Sequence, residues 1–404
     1  MQPHKRLEEI TDILLKFIER LPEPPRESVK REFQTLKEVL MESRPPKLII
    51  LGRRGAGKSS LINAIFSEKV ASVGSVTSET GKGTWYSYKD ERGEIRVLDT
   101  RGMGDSTKPE SANFQNSLDE IKYSIDQECP DAILFLCKAK EVDSRVSEDS
   151  SNVSEIQSYI LAKHQYKSPV VALVTQVDEL DPASVTVPPF ANDAKQHNIS
   201  KATTTLERAL LNAHIEFVKV FPICAYVEYE NGKILYDRRW NIDSLISYLL
   251  EALPNSAQLE LARLTRIQTI QIKMARKIIG AASAICAAIG ATPIPVADLP
   301  IITSLQIGMI TAIGYISGRE LSQDTVKEFL AALGLNIGAG FVLREAARAL
   351  IKFVFPGAGN AVSGAIAFAA TWGIGESAIA YFIEGKPIEE AKKRFDEGKN
   401  KKGE

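Results

Sequence analysis

The sequence predicts an α/β domain, in which helices flank a mostly parallel sheet, together with a second, all-α domain. Three observations support this division. An apolar segment at 48–51 leads through a glycine-rich turn into a helix-forming segment at 60–66. Strand-like and helix-like segments then alternate up to about residue 252, as in a doubly wound sheet. Here helices are expected near 154–163 and 201–213, surface loops over the polar segments 140–153 and 179–200, and a small β-ribbon over 226–236, where an Asn-Gly pair predicts a hairpin turn. Beyond about residue 256 the spacing of apolar residues is helical, and long uncharged stretches appear.

The N-terminal segment, residues 1–45, is predicted to form a helical hairpin. Apolar residues recur three and four positions apart over 4–21 and over 29–40, and the proline-rich segment 22–25 separates the two helices. A hairpin of this size is marginally stable alone. We therefore expect its apolar faces to pack against the C-terminal helices and to form the all-α domain with them.

The α/β domain, predicted to span 46–254, begins with a loop that reads GRRGAGKS at 52–59. The G-x-x-x-x-G-K-S spacing between a strand and a helix is typical of a phosphate-binding loop, in which backbone N–H groups and the helix N-terminus face the phosphates. Lys58 is expected to reach the β- and γ-phosphates, and the Ser59 hydroxyl to bind Mg²⁺. The residues predicted to contact the nucleotide here are Arg53, Arg54, Gly55, Ala56, Gly57, Lys58, Ser59 and Ser60.

Three later strands end in residues suited to the rest of a nucleotide site. The first ends in D-x-x-G, so that Asp99 would lie in the outer coordination sphere of Mg²⁺ and the Gly102 N–H would contact the γ-phosphate. The second ends in Thr175, Gln176, Val177 and Asp178, whose carboxylate would accept hydrogen bonds from guanine N1–H and N2–H. Adenine lacks this donor pair, which argues against the competing interpretation, an adenine-specific ATPase. The third ends in Cys224 and Ala225, and the Ala225 N–H would contact guanine O6.

In this order the motifs resemble those of the translation-factor-related GTPases, the Era-like branch above all, over about residues 47–252. The resemblance implies a Ras-like P-loop GTPase domain that binds GTP or GDP with Mg²⁺. It also places a threonine on Mg²⁺ beside Ser59, with Thr80 as the preferred candidate and Thr77 as the alternative. The chain departs from the pattern at Gln176, where lysine is usual, so we expect weaker nucleotide affinity with specificity retained.

The group that activates water is harder to assign. Many small GTPases orient the attacking water with a glutamine directly after D-x-x-G, but this chain has Met103 at that position. Some Era-like enzymes instead bind K⁺ with an asparagine of the phosphate loop, but this chain has Gly55 there. The remaining candidate is an arginine, either Arg53 or Arg54 of the loop or an arginine of a partner. The alternative, that both loop arginines point into solvent, is equally compatible with the sequence. We expect slow GTP hydrolysis, accelerated by a homodimer, a larger self-assembly or a partner, with a predicted catalytic set of Lys58, Thr80, Gly102 and Arg54.

Composition excludes several other classes of protein. The 50 basic and 51 acidic residues give a net charge of −1, which argues against a nucleic-acid-binding role. The four cysteines form no Cys-x-x-Cys pair and the histidines do not cluster with them, so neither structural zinc nor a disulfide framework is indicated. No secretory signal opens the chain, and a cytoplasmic protein is expected.

A hydrophobic helical domain is predicted over 255–390, followed by a charged, frayed tail at 391–404. A charged amphipathic helix is expected first, at 256–277. Three uncharged stretches follow, each long enough to cross a bilayer but interrupted by proline or glycine: 278–297, 299–318 and 353–375. They would form either a bilayer-inserted helical hairpin or a buried bundle with a membrane-facing surface.

This helical region resembles an uncharacterised domain often found after Era-like GTPase domains in bacteria, which implies a GTPase at the inner face of a bacterial membrane. The order of hairpin, GTPase domain and helical domain also resembles the immunity-related GTPases, relatives of the dynamin-like machines. Three functions stay open: a GTP-hydrolysing switch or mechanoenzyme, a GTP- or GDP-binding module with negligible turnover, and a membrane pore or scaffold that its GTPase domain regulates.

Overall fold

The computed structural model describes residues 14–16, 18–19, 21, 23, 25–67, 85–99, 117–143, 146–215, 217–230, 233–291, 298–320, 323–333 and 364–401. The chain divides into two compact units. The sheet unit runs from Pro45 to Ala257, and the helical unit combines Met1–Arg44 with Gln258–Glu404.

The sheet unit is built on six strands in the order β2-β3-β1-β4-β5-β6. Only the β2–β3 pair is antiparallel, and the other four pairs are parallel. Strand order along the chain reverses at β1, and ligands of such sheets bind beyond the carboxyl ends of the strands at that point. The strands are β1 Lys47–Gly52, β2 Trp85–Lys89, β3 Glu94–Asp99, β4 Ala132–Lys138, β5 Val170–Thr175 and β6 Phe217–Pro222.

Helices cover this sheet, as the predicted Ras-like α/β fold requires. Every residue of β5 is buried, as expected for a parallel strand with both faces covered. The predicted ribbon near 226–236 is also present, as the antiparallel strands β7 Val227–Glu230 and β8 Lys233–Asp237. Helix α1, Pro25–Leu40, belongs to the helical unit, and the helices of the sheet unit are α2 Lys58–Phe66, α3 Ser117–Gln127, α4 Val146–His164, α5 Asp193–Asn212 and α6 Ile242–Ala252.

Two helices begin well before their predicted positions. The prediction of loops over 140–153 and 179–200 was wrong for the segments that open α4 and α5. Their serine and aspartate content is typical of loops, yet α5 has a strong start signal, because the Asn192 side chain accepts a hydrogen bond from the Lys195 N–H at 3.0 Å. The face of α5 that packs on the sheet then buries Lys195, Ile199, Ala202, Leu206 and Leu210.

In the helical unit, the N-terminal helix packs on the C-terminal helices, as predicted. Helix α1 buries Val29, Phe33 and Leu36 and lies against the helix Gln268–Ala291. The single amphipathic helix predicted at 256–277 is instead interrupted near Arg266, whose φ of 55° lies in the left-handed region. The helices of this unit after α1 are α7 Asn255–Leu264, α8 Gln268–Ala291, α9 Asp298–Ile316, α10 Gln323–Ala332, α11 Gly364–Ala378 and α12 Ile388–Lys401, with a π-helical turn at Ile379–Ile383.

Helix α12 corrects the prediction of a frayed tail. It buries Ala391 and Phe395, which lie four positions apart on one face. On the same helix, Arg394 is within 3.4 Å of Glu376 and 3.1 Å of Glu384. Packing and ion pairing thus stabilise a helix whose composition alone suggested disorder.

Two helices of the described part of the chain have the length and hydropathy of a membrane span, Gln268–Ala291 and Gly364–Ile383. Their most apolar windows are 56% and 72% buried within the protein. Core helices of a soluble bundle meet the same criterion, so that both arrangements expected from the sequence stay open.

The contact between α8 and α11 yields a prediction about stability. A Cβ on Gly375 would lie 2.4 Å from Ile279 Cγ1, whereas a Cβ on Gly280 would have no neighbour within 4 Å. We expect Gly375→Ala to destabilise the helical unit by about 1–3 kcal/mol through overpacking. Gly280→Ala, its matched control, should stabilise the same unit by about 0.5–1 kcal/mol because a helical glycine loses more backbone entropy. Urea denaturation of the full-length variants checks this, and equal shifts in one direction would contradict it.

Candidate nucleotide-binding site

The phosphate loop joins the carboxyl end of β1 to the start of α2 at Lys58. Gly55 and Gly57 have φ angles of +77° and +92°, which L side chains rarely adopt, so glycine is required at both positions. A Cβ on Gly57 would meet nothing within 4 Å. Between them, Ala56 is buried and its N–H donates to the Arg53 carbonyl at 3.1 Å. The loop is therefore a tight turn with an open concave side, the shape that phosphate groups fit.

The predicted phosphate loop also carries positive and polar groups. Lys58 Nζ donates to the Gly52 carbonyl at 3.0 Å, so its side chain folds back across the loop. Ser59 is half-buried in the first turn of α2, and Ser60 is exposed. The helix N-terminus adds the partial positive charge of its backbone N–H groups.

The segment after β5 contacts this loop directly. Gln176, the residue that departs from the family pattern, has a φ of 58°, and its Nε2 donates to the Gly55 carbonyl at 2.6 Å. Asp178 follows on the short 3₁₀ turn Val177–Glu179. Thr175 is buried and its hydroxyl donates to the Cys137 carbonyl at 3.4 Å. The predicted base-reading residues and the predicted phosphate loop thus lie in one site.

A buried lysine that sequence reasoning missed supports the base-reading segment. Lys195 on α5 is fully buried, and its ammonium donates to the Asp178 carbonyl at 2.6 Å and to the Leu180 carbonyl. Burial lowers the pKa of Lys195, and the nearby carboxylates of Asp178 and Asp181 oppose that shift. The available signal was the N-cap at Asn192, which turns Lys195 toward the sheet on the first turn of α5.

Cys224 and Ala225 lie beside the same carboxylate. Burial is the main cause that raises the pKa of the Cys224 thiol to about 12, and a hydrogen bond to the Asp178 carboxylate acts in the same direction. The Cys224 backbone is fixed by reciprocal bonds with Trp240, at 3.2 and 2.8 Å. A neutral Cys224 thiol therefore donates a hydrogen bond to the Asp178 carboxylate, and Ala225, the next residue in the chain, is buried.

The two arginines of the loop differ in their surroundings. Arg53 Nε donates to Asp149 Oδ2 at 2.8 Å, and its Nη2 lies 3.3 Å from Glu148. The hydrogen bond to Asp149 raises the pKa of Arg53. Arg54 is exposed to solvent. Of the two, Arg53 is therefore bound to α4, and Arg54 faces outward.

The remaining predicted residues are described in part or not at all. Asp99 is the last residue of β3, paired in register with Ile50 of β1, but its side chain is outside the described part of the chain. Thr77, Thr80, Gly102 and Met103 also lie outside it.

Fold and site together define the sheet unit as a GTP-binding P-loop GTPase domain. Residues 47–176 match the family model described as 50S ribosome-binding GTPase. Residues 255–397 match a domain of unknown function, DUF697.

Individual relatives and solved structures are similar to parts of this chain. The GTPase Der of Persephonella marina is 26% identical over 46% of this chain and 38% of its own length, so the chain spans well under half of that relative. The uncharacterized protein YkfA of Escherichia coli is 23% identical over 60% of this chain and 74% of its own. Among solved structures, that of Toc33 from Arabidopsis thaliana with Mg²⁺ and GMPPNP is 15% identical in sequence. The match covers 61% of this chain and 96% of the Toc33 chain, with a TM-score of 0.34.

Proposed function

We propose that the protein binds GTP or GDP with Mg²⁺, hydrolyses GTP to GDP and phosphate, and couples its nucleotide state to the helical unit at a membrane surface. One observation carries the first part of this proposal. The hydrogen bond from Gln176 to the Gly55 carbonyl, at 2.6 Å, joins the guanine-reading segment to the phosphate loop. A lone glycine-rich turn would have no reason to contact that segment.

The residues take the following roles in the proposed site. The backbone N–H groups of Gly55 and of residues 57–59 and the Lys58 ammonium bind the phosphates. The Asp178 carboxylate accepts hydrogen bonds from guanine N1–H and N2–H, and it also accepts one from the Cys224 thiol. The Ser59 hydroxyl fits Mg²⁺, which prefers oxygen ligands, and Asp99 and Thr80 would complete its surroundings. When bound, Mg²⁺ neutralises charge on the phosphate oxygens.

Hydrolysis needs positive charge near the transferred phosphoryl group, because charge spreads over its oxygens in the transition state. Exposed Arg54 is the loop arginine suited to act across a self-assembled interface, since Arg53 is already bound to Asp149. We therefore propose that a homodimer or larger assembly accelerates the reaction. The second candidate, a nucleotide-binding switch with negligible turnover, is favoured by Gln176 in place of the usual lysine.

The experiment is GTP hydrolysis by the full-length protein over a hundredfold range of protein concentration, with ATP as the control nucleotide. A rate per molecule that rises with concentration and is specific for GTP supports hydrolysis by association. A flat rate near zero together with tight GTP binding contradicts it and selects the switch. Flotation with liposomes, with and without a GTP analogue, tests the membrane surface, and absence from the lipid fraction in both conditions removes that part of the proposal.

A further inference from the structure

A lysine outside the recognised motifs lies beside the phosphate loop. Lys138 is the last residue of β4, the strand next to β1 in the sheet, and it pairs in register with Thr175 of β5. A Cβ built on Gly55 would lie 3.4 Å from Lys138 Nζ and 3.5 Å from its Cε. The end of the lysine side chain therefore occupies the space into which a longer side chain at position 55 would extend.

The ammonium of Lys138 has a weak partner. It donates to Glu141 Oε1 at 3.1 Å, within one turn of the short 3₁₀ segment Ala139–Glu141. The two side chains are 26% and 43% exposed. Partly exposed ion pairs of this kind contribute little stability. The ammonium can thus exchange this carboxylate for a phosphate oxygen at little cost.

Positive charge beside Gly55 would suit phosphoryl transfer. Phosphoryl transfer is stabilised by fixed positive charge around the triphosphate. Arg53 is held by Asp149 and Glu148, and Gly55 has no side chain with which to bind a metal cation. Lys138 brings a positive charge to Gly55 from the adjacent strand.

We propose that Lys138 is a second phosphate-binding cation of this site, which contacts the triphosphate beside Gly55 and takes the place of a bound monovalent cation. The proposal rests on the proposed GTPase function. Two consequences follow. Hydrolysis should be independent of which monovalent salt is present, and loss of the Lys138 charge should weaken binding of a triphosphate more than binding of a diphosphate.

The test compares Lys138→Met with Lys140→Met in the full-length protein. Lys140 lies two residues further on, is 58% exposed and is 3.9 Å from Glu179, so it controls for loss of one surface charge. Lys138→Gln is a second neutral variant in case the first folds poorly, and Lys138→Arg retains the charge. Affinity is measured for GDP and for a non-hydrolysable GTP analogue, and single-turnover hydrolysis is measured in KCl and in NaCl.

Removal of one group that stabilises transition-state charge costs roughly 100-fold in rate, and we expect a loss of about 10- to 100-fold for Lys138→Met and Lys138→Gln. Their affinity for the analogue should fall about 10-fold more than their affinity for GDP, as for loss of one charge-assisted hydrogen bond. Lys140→Met should match the wild type, and Lys138→Arg should recover part of the rate.

Unchanged rate and analogue affinity in both neutral variants would overturn the proposal. The proposal would also be overturned if wild-type hydrolysis required K⁺ and Lys138→Met hydrolysis showed the same K⁺ dependence. An external cation would then occupy the position beside Gly55. If the wild type does not hydrolyse GTP, the proposed hydrolysis fails separately. The comparison of analogue with GDP affinity still decides the role of Lys138 in that case.

Discussion

Lys58→Ala is expected to abolish binding of a GTP analogue, with at least about a 100-fold loss of affinity, and to weaken GDP binding by about 10- to 100-fold, because GDP lacks the γ-phosphate. The Lys58 ammonium lies across the predicted phosphate loop and donates to the Gly52 carbonyl at 3.0 Å. Its removal takes away charge-assisted hydrogen bonds to two phosphate groups, each contributing about 1.5–3 kcal/mol. Fluorescence titration with labelled nucleotide measures the effect.

Lys140→Ala is the control for this variant, because it removes a surface lysine of the same unit. Since Lys58 lies at the start of α2 and not in the core, the midpoint of thermal unfolding without nucleotide should change little. A Lys58→Ala protein that is folded and still binds GDP with wild-type affinity would show that the loop does not hold the phosphates.

Asp178→Asn is expected to change base selectivity. In the proposed site the carboxylate accepts two hydrogen bonds from guanine, whereas the asparagine amide presents a donor as well as an acceptor. Xanthine carries an oxygen where guanine carries its exocyclic amine, so the variant should gain affinity for xanthosine diphosphate. Its affinity for GDP should fall about 100-fold, which is the cost of one mispaired polar contact. Competition of the two nucleotides against a labelled diphosphate measures the change.

Asp178→Ala is the matched control, because it removes the acceptor without adding a donor. It should weaken GDP binding and gain nothing for xanthosine diphosphate. If Asp178→Asn keeps its preference for GDP over xanthosine diphosphate, Asp178 does not read the base.

Local sequence patterns were sufficient for the sheet and for the phosphate loop. β1, β4 and β5 are buried apolar runs, and the positive φ angles of Gly55 and Gly57 explain why the motif needs glycine there. The starts of α4 and α5 were missed because serine, aspartate and proline near them are typical of loops, and their buried residues are widely spaced. The interruption at Arg266 was missed because arginine is a good helix former and gives no signal of a left-handed residue.

Contacts between distant segments could not be predicted. Gln176 and Gly55 are 121 residues apart, and their hydrogen bond depends on the register of β1, β4 and β5. Lys195 and Lys138 were overlooked because lysine is usually a solvent-exposed residue, whereas Lys195 is fully buried. The departure at Gln176 was recognised from the sequence, and its contact with the phosphate loop is evident only in the fold.

The most direct test of a guanine-specific site is competition of GDP and ADP for the purified full-length protein with Mg²⁺ present. The predicted result is that unlabelled GDP displaces labelled GDP, whereas ADP at about 1,000-fold excess does not. A site that pairs the polar groups of one base rejects a base that leaves those groups unpaired by about 10⁴–10⁵-fold. Equal displacement by the two nucleotides would contradict the assignment of Asp178 and of the site as a whole.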